Sequence, residues 1–424
     1  MIRLPRESLH IAMFSVHSSP LGRIGNRDTG GMSVYIRQLA LEMEKRGHRV
    51  DIFTRRQEAD VPDMVRLDSR VRLIHLTAGP VRPLSPLDVF PLLPDFLKAL
   101  ERFKNDQDLF YHLIHSHYWL SGRLGAWAAP RWNVPHLFTF HTVGALKNLY
   151  CQKDRTEPLR LRMEHQLVKE VDRIIAATQM EKEHLTRHHG ISPCRIGVVP
   201  CGVDLERFRP LEKRMCRAHL GLRAGEFVIV YVGRLARLKR IDRIIRALAH
   251  LRSDDGIRLM IVGGDGRLTA DEIALRRLTQ RLRVQDRVTF VGRVEQEKLP
   301  VFYNAADVLV LPSEYESFGL VGLEALACGL PVVATRVGGL TTILQEEVNG
   351  HLLNDGNPLS IARAIAKLRG TKGLPVFSPQ SLRDSIREYS WSNIAAAVLQ
   401  EYEMAMDAIP GLWGTQSAVE MSAL

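Results

Sequence analysis

Two successive series of short apolar runs, each interrupted by segments with helical spacing, constrain this chain more than any single residue does. The first series is Ile11–Val16, Val50–Thr54, Val71–Leu76, Leu113–Ser116, His136–Phe140, Ile174–Ala177 and Ile196–Val199. The second is Phe227–Val232, Arg258–Val262, Val288–Val291, Val308–Leu311 and Pro331–Ala334. Runs that are apolar at every position suit parallel strands buried on both faces. Between them, Ile36, Leu39, Ala40 and Met43 line one helical face before the stop at Gly47, and Ile241–Leu251, Glu272–Leu282 and Leu320–Ala327 read as further helices. Strand–helix alternation twice over predicts two doubly wound α/β domains. A chain of 424 residues is also too long for one ordinary core. The turn-rich stretch Pro200–Pro210 is the predicted link, with a last helix over about Trp391–Met406 and a disordered tail beyond Pro410.

The composition excludes several classes. No signal-type or membrane-spanning apolar stretch is present, so the expected address is the cytoplasm. Five cysteines without CxxC spacing suggest neither a disulfide framework nor a structural zinc site. A net charge of +11 calls for an anionic partner. The cations are scattered, and no nucleic-acid-binding signature accompanies them, so no nucleic acid partner is expected. Peripheral membrane contact and a homodimer stay open.

Three motifs carry chemistry. Gly30-Gly31 stands at the strand-to-helix turn after the first run, where backbone N–H groups and a helix N-terminus can meet an anion. The spacing is neither that of a dinucleotide fingerprint nor that of a Walker loop. Gly233-Arg234-Leu-Ala-Arg237-Leu-Lys239 follows the first strand of the second series, at the sheet edge where ligands bind. Arg234 and Lys239 can meet a diphosphate there, although an isolated pair reads equally well as solvated cations. Glu316 and Glu324 then flank the amides of Gly319, Leu320 and Val321, offering carboxylates to sugar hydroxyls and N–H groups to phosphate. Glu324 lies in an apolar run, and a buried carboxylate needs partners. The sole D-x-D, Asp106 and Asp108, sits in a polar stretch and reads as surface. His115 and His117 flank Ser116 and are read as pointing to opposite strand faces, at least one of them packing.

The combination GRLxxxK, Glu316-x7-Glu324 and CGLPVVATRVGG resembles the family-4 retaining glycosyltransferases, over the chain from Ile11 to about Met406. That resemblance implies a GT-B fold, two Rossmann-like domains facing across a cleft. Residues 1–205 would bind the acceptor and 206–390 the nucleotide-sugar donor. Residues 391–410 would form a helix crossing back, and 411–424 the tail. It implies that Arg234 and Lys239 hold the donor pyrophosphate, that Glu324 binds the ribose, and that Glu316 stands against the transferred sugar. Backbone at Gly233, Gly319, Leu320 and Val321 would contact the donor, and the Gly292-Arg293-Val294 segment would lie against its base.

In the first half, NRDTGGM (Asn26–Met32), HSHYWLSG (His115–Gly122) and HTVGALKN (His141–Asn148) are similar to the branch of this family that joins N-acetylglucosamine to inositol 3-phosphate. Sucrose and sucrose-phosphate synthases share the layout. By that match Gly31 touches donor phosphate and His141 the donor sugar, while Tyr118, Thr142 and Arg160 grip an acceptor phosphate. Ser33, which that match places against the acceptor, stands where the branch has Asn, and Pro86 where it has a phosphate-binding Lys, with Arg82 nearby.

The implied reaction is retaining and metal-independent, from a UDP-sugar (UDP-GlcNAc or UDP-glucose) to a small polar or phosphorylated acceptor such as inositol phosphate. No cofactor is expected. Sugar phosphates, lipid or polysaccharide acceptors, and an inactive nucleotide-sugar-binding protein are the alternatives.

Overall fold

A computed structural model describes residues 8–21, 30–151, 155–223, 225–251, 256–264, 266, 268–370 and 377–408. The Asn26–Thr29 part of the first glycine loop and the tail 411–424 lie outside the described residues.

The first sheet has eight strands in the order β3-β4-β2-β1-β5-β6-β7-β8. They are β1 His10–Phe14, β2 Arg49–Arg55, β3 Met64–Asp68, β4 Val71–Leu76, β5 Leu113–His117, β6 His136–Thr139, β7 Arg173–Ala176 and β8 Ile196–Val198. All pairings are parallel except β3 with β4. The second sheet runs β11-β10-β9-β12-β13-β14, wholly parallel, from β9 Phe227–Val232, β10 Ile257–Val262, β11 Val288–Gly292, β12 Val308–Leu311, β13 Val332–Thr335 and β14 Gly350–Leu353. The apolar runs become central strands because helices cover both faces. Ile11, Met13, Val228, Val230, Leu309 and Val310, for example, are buried.

Two edge strands had no counterpart in the apolar pattern. β3 alternates exposed and half-buried residues, as an antiparallel edge strand does. β14 is short and begins at a glycine.

Each sheet has a topological switch point, where the chain leaves a strand toward one side and later returns on the other. In the first sheet it lies between β1 and β5, and in the second between β9 and β12. The helix Trp391–Asp407 leaves the second sheet and packs on the helix Gly31–Lys45 of the first half. There Glu401 pairs with Arg173, Tyr402 meets His115, and Arg46 bonds to Ser392. The returning chain also pairs with the link between the halves: Val203 N–H donates to Tyr389 O at 2.8 Å, and Arg383 donates to the carbonyls of Leu205 and Phe208. Among the described residues no helix is long and apolar enough to cross a membrane.

Candidate active site

The two switch points face each other across a cleft of about 590 Å³, lined from both halves of the chain. On the side of the second sheet, β9 is followed by Gly233, whose φ of +149° suits glycine. Arg234 follows, exposed and lining the cleft, with its carbonyl accepting a bond from Tyr231 Oη at 2.9 Å. Lys239 Nζ lies 2.6 Å from Glu316 Oε1, which also accepts from Ser313 Oγ at 2.8 Å. The basic loop after β9 and the turn after β12 are thus joined by a half-buried ion pair.

Gly319 caps the helix Leu320–Ala327 with φ +99°, and a Cβ there would meet Leu340 at 2.7 Å. Only glycine can bring the free N–H groups of that helix to the cleft wall at this point. One turn further in, Glu324 is buried. Tyr303 Oη donates to its Oε2 at 2.8 Å, and Gln296 Nε2 to its Oε1 at 3.2 Å. Burial pushes its carboxyl up to about 7, against the pull of those two donors.

On the opposite wall, Gly31 opens the helix Gly31–Lys45, and a Cβ on it would approach Leu320 Cδ1 at 3.1 Å. Tyr118 opens the helix Tyr118–Trp132 directly after β5, and His141 lies two residues beyond the end of β6, with φ of +71° and +58°. Positive φ at bulky residues carries strain that the surrounding packing must hold, and such strain gathers at functional sites. Arg160 is the hub of this wall. Its guanidinium stacks over Tyr118 at 4.5 Å and donates to Tyr118 Oη at 2.8 Å, Thr142 O at 2.5 Å and Glu164 Oε1 at 2.6 Å. Thr142 Oγ1 reaches across the cleft to Ser317 Oγ at 3.1 Å. This contact joins the two halves of the chain across the cleft.

Most of the anticipated residues converge here, with Val294, Leu320 and Val321 also in the lining. Ser33 does not: it is buried, bonds to Ser18 Oγ at 2.9 Å, and is not part of the cleft wall. Pro86 is in the wall, whereas Arg82 is exposed and outside it, its carbonyl accepting from Arg55. The structure adds His17, Lys147, Gln296 and Ser317 to the lining. Lys147 stands in the HTVGALKN run and was open to recognition from it. Gln296 and Ser317 carry no sequence signal of their own. His115 and His117 share a face, with rings 4.2 Å apart, rather than pointing apart. Side chains two residues apart on a strand point the same way. Among the described residues no group of three or more His, Cys, Asp or Glu is placed to hold a metal ion.

A second cavity of about 650 Å³ lies behind Leu235–Ile241. Arg240 in its wall is paired with Asp242 and Glu314, and none of Arg234, Lys239, Glu316 and Glu324 lines it.

Two family patterns divide the chain. "Glycosyltransferase Family 4" matches residues 29–207, and "Glycosyl transferases group 1" matches residues 213–376. The D-inositol 3-phosphate glycosyltransferase of Mycobacteroides abscessus is 41% identical over 93% of this chain and 89% of its own length. One of the same description from Catenulispora acidiphila is 40% identical over 97% and 98%. Among solved structures, sucrose-phosphate synthase from Thermosynechococcus elongatus superposes with a TM-score of 0.87 at 33% identity, covering 95% of this chain and all of that one. Anabaena HepE in complex with UDP and glucose shares the fold, with a TM-score of 0.74 at 20% identity over 93% and 99% of the two chains. Two doubly wound domains that present cations, carboxylates and helix N-termini to one cleft define a GT-B transferase. The chain belongs to glycosyltransferase family 4.

Proposed function

We propose that this protein transfers a sugar, with retention, from a UDP-sugar (UDP-GlcNAc or UDP-glucose) to a small phosphorylated acceptor of the inositol phosphate type. The observation that carries the reading is the Arg160 hub. A cation with Tyr118 and Thr142 around it, and Lys147 in the same wall, forms a polar corner in the cleft that the Glu316–Lys239 pair also lines. Lys147 then supplies a cation that Pro86 cannot. The relatives described as D-inositol 3-phosphate glycosyltransferases support the same acceptor. A second reading, transfer to a sugar phosphate such as fructose 6-phosphate, draws on the likeness to sucrose-phosphate synthase and needs the same phosphate corner.

In this reading the first half of the chain binds the acceptor and the second half the donor. The bond between the sugar's anomeric carbon and the diphosphate oxygen breaks while the acceptor hydroxyl attacks from the same face. The acceptor proton passes to the departing phosphate oxygen. Charge growing on that oxygen is met by Arg234, Lys239 and the amides at Gly31 and Gly319–Val321. Glu316 holds a sugar hydroxyl, and His141 donates to another. Mixing the protein with UDP-GlcNAc or UDP-glucose and with inositol 3-phosphate, fructose 6-phosphate or unphosphorylated inositol tests this directly. UDP release is expected with a phosphorylated acceptor, undiminished by chelator, with an axial anomeric product by NMR. No release with either phosphate, or release abolished by chelator, counts against the proposal.

Glu324 makes donor binding pH-dependent. The ionised carboxylate accepts ribose hydroxyls, and its protonated form has fewer acceptor sites. Because the group titrates at about 7, donor affinity is expected to weaken as the pH falls through that value. The KM for UDP-glucose, whose diphosphate has no proton to gain there, should rise several-fold between about pH 8 and about pH 6. In Glu324→Gln the dependence should vanish. An unchanged slope in that variant would assign the pH effect elsewhere.

A further inference from the structure

His141 Nε2 lies 3.0 Å from His117 Nδ1. Two neutral imidazole nitrogens at that distance share one proton, one donating and the other accepting. No described residue bonds to the other nitrogen of His141, Nδ1, and His141 itself is in the cleft wall. The direction of the His–His bond therefore decides whether His141 meets a ligand as a donor or as an acceptor.

The surroundings of His117 decide the direction. The residue is buried, and its Nε2 has no hydrogen-bond partner among the described residues. A proton on Nε2 would be a buried, orphaned N–H, a condition that folded proteins rarely tolerate, whereas a bare lone pair is the lesser loss. Tyr35 Oη, another buried polar atom here without a partner among the described residues, brings a proton of its own. We infer that His117 is a positioning residue: it carries its proton on Nδ1, donates it to His141 Nε2, and so keeps His141 in the tautomer with the proton on Nδ1, the nitrogen left to the cleft.

The rest of the cluster holds the two rings in place. Tyr35 packs edge-on to His117 at 5.8 Å and to His141 at 5.1 Å. His115 lies 4.2 Å behind His117 and is held by Tyr402 Oη at 2.8 Å and Thr139 Oγ1 at 2.9 Å. Tyr402, together with Trp391 at 5.5 Å from Tyr35, belongs to the helix that crosses back from the second sheet. The orientation of a cleft imidazole is thus supported from the far end of the chain. The titratable groups around His141 are His17, Tyr35, His115, His117, His136 and Tyr402, and burial keeps all the histidines among them in their neutral forms.

The inference deepens the proposed reading, because a tautomer fixed with Nδ1–H outward makes His141 a hydrogen-bond donor to a sugar hydroxyl. Three variants separate the possibilities. His117→Asn keeps an amide N–H near the place of Nδ1, His117→Asp puts an acceptor there, and His117→Leu removes both. The Asn variant is expected to retain kcat within about threefold. The Asp and Leu variants should lose about 10–100-fold in kcat, the scale typical of groups that orient a functional imidazole, with donor KM little changed. A Leu variant as active as the parent, or an Asn variant as impaired as Leu, overturns the inference. Nitrogen-15 NMR of the unliganded protein, with the His141 signals assigned by their loss in His141→Gln, reads the tautomer without any turnover. A protonated Nδ1 is expected, and a protonated Nε2 overturns the inference even if sugar transfer is confirmed. Failure of the parent protein to release UDP would instead remove the proposed reaction and leave the tautomer assignment standing.

Discussion

Arg160→Met is expected to destabilise the protein by about 3–5 kcal/mol, the usual consequence of breaking a buried ion pair by removing one partner. The guanidinium and the Glu164 carboxylate are 12% and 1% exposed and 2.6 Å apart. Without Arg160, Glu164 keeps, among the described residues, the Gly144 N–H at 2.8 Å. Burial already raises the Glu164 carboxyl above its ordinary range, against the pull of Arg160, and losing the cation removes that opposing pull. A carboxyl whose pKa is higher folded than unfolded favours the folded state at low pH. That contribution is lost as the pH rises from the unfolded value toward the folded one. The variant should therefore lose more stability near pH 8 than near about pH 5, as measured by denaturant unfolding. Arg160→Met combined with Glu164→Gln should recover much of the stability but none of the acceptor affinity, seen as a large rise in acceptor KM. A single variant within about 0.5 kcal/mol of the parent would mean that the pair does not hold this wall, since surface changes alone reach that size.

The second large effect concerns the leaving group. Lys239→Ala should lower kcat by about 10²- to 10³-fold, the cost of removing one pre-positioned group that meets developing charge. The substitution also frees Glu316 from its cation while Ser313 remains bonded to it. Single-turnover UDP release separates this from donor binding: the rate at saturating donor should fall, with the dissociation constant for the donor shifting far less. A rate within about threefold of the parent would place the diphosphate away from Lys239.

These two residues also mark the division between what could be read along the chain and what could not. Lys239 belongs to a loop that follows a strongly apolar strand, and the carboxyl edge of such a strand is a ligand site in this class of sheet. Arg234, Glu316 and the Gly319–Val321 amides were readable for the same reason. Each is tied to a strand end or a helix start a few residues away, and local periodicity sets both. The two-residue alternation of a strand likewise places His115 and His117 on one face.

The acceptor wall was less accessible. Arg160 and Thr142 were named through family likeness, but their bonds to Glu164, to Tyr118 and across to Ser317 join segments that no periodicity relates. Ser33 stands one helical position from the cleft-lining Met32 and Val34, yet the rotation of that helix turns its hydroxyl inward to Ser18. The edge strands β3 and β14 escaped because an edge lacks the two-sided burial that makes a strand conspicuous.

By itself the sequence determined two doubly wound α/β domains and the cationic loop after the first strand of the second, because apolar runs and glycine positions act over short distances. The tertiary structure decided which walls meet, how Arg160 is paired and which nitrogen of His141 is engaged. Those outcomes depend on burial and on contacts between residues up to hundreds of positions apart, such as His115 with Tyr402. Only packing brings them within hydrogen-bonding distance.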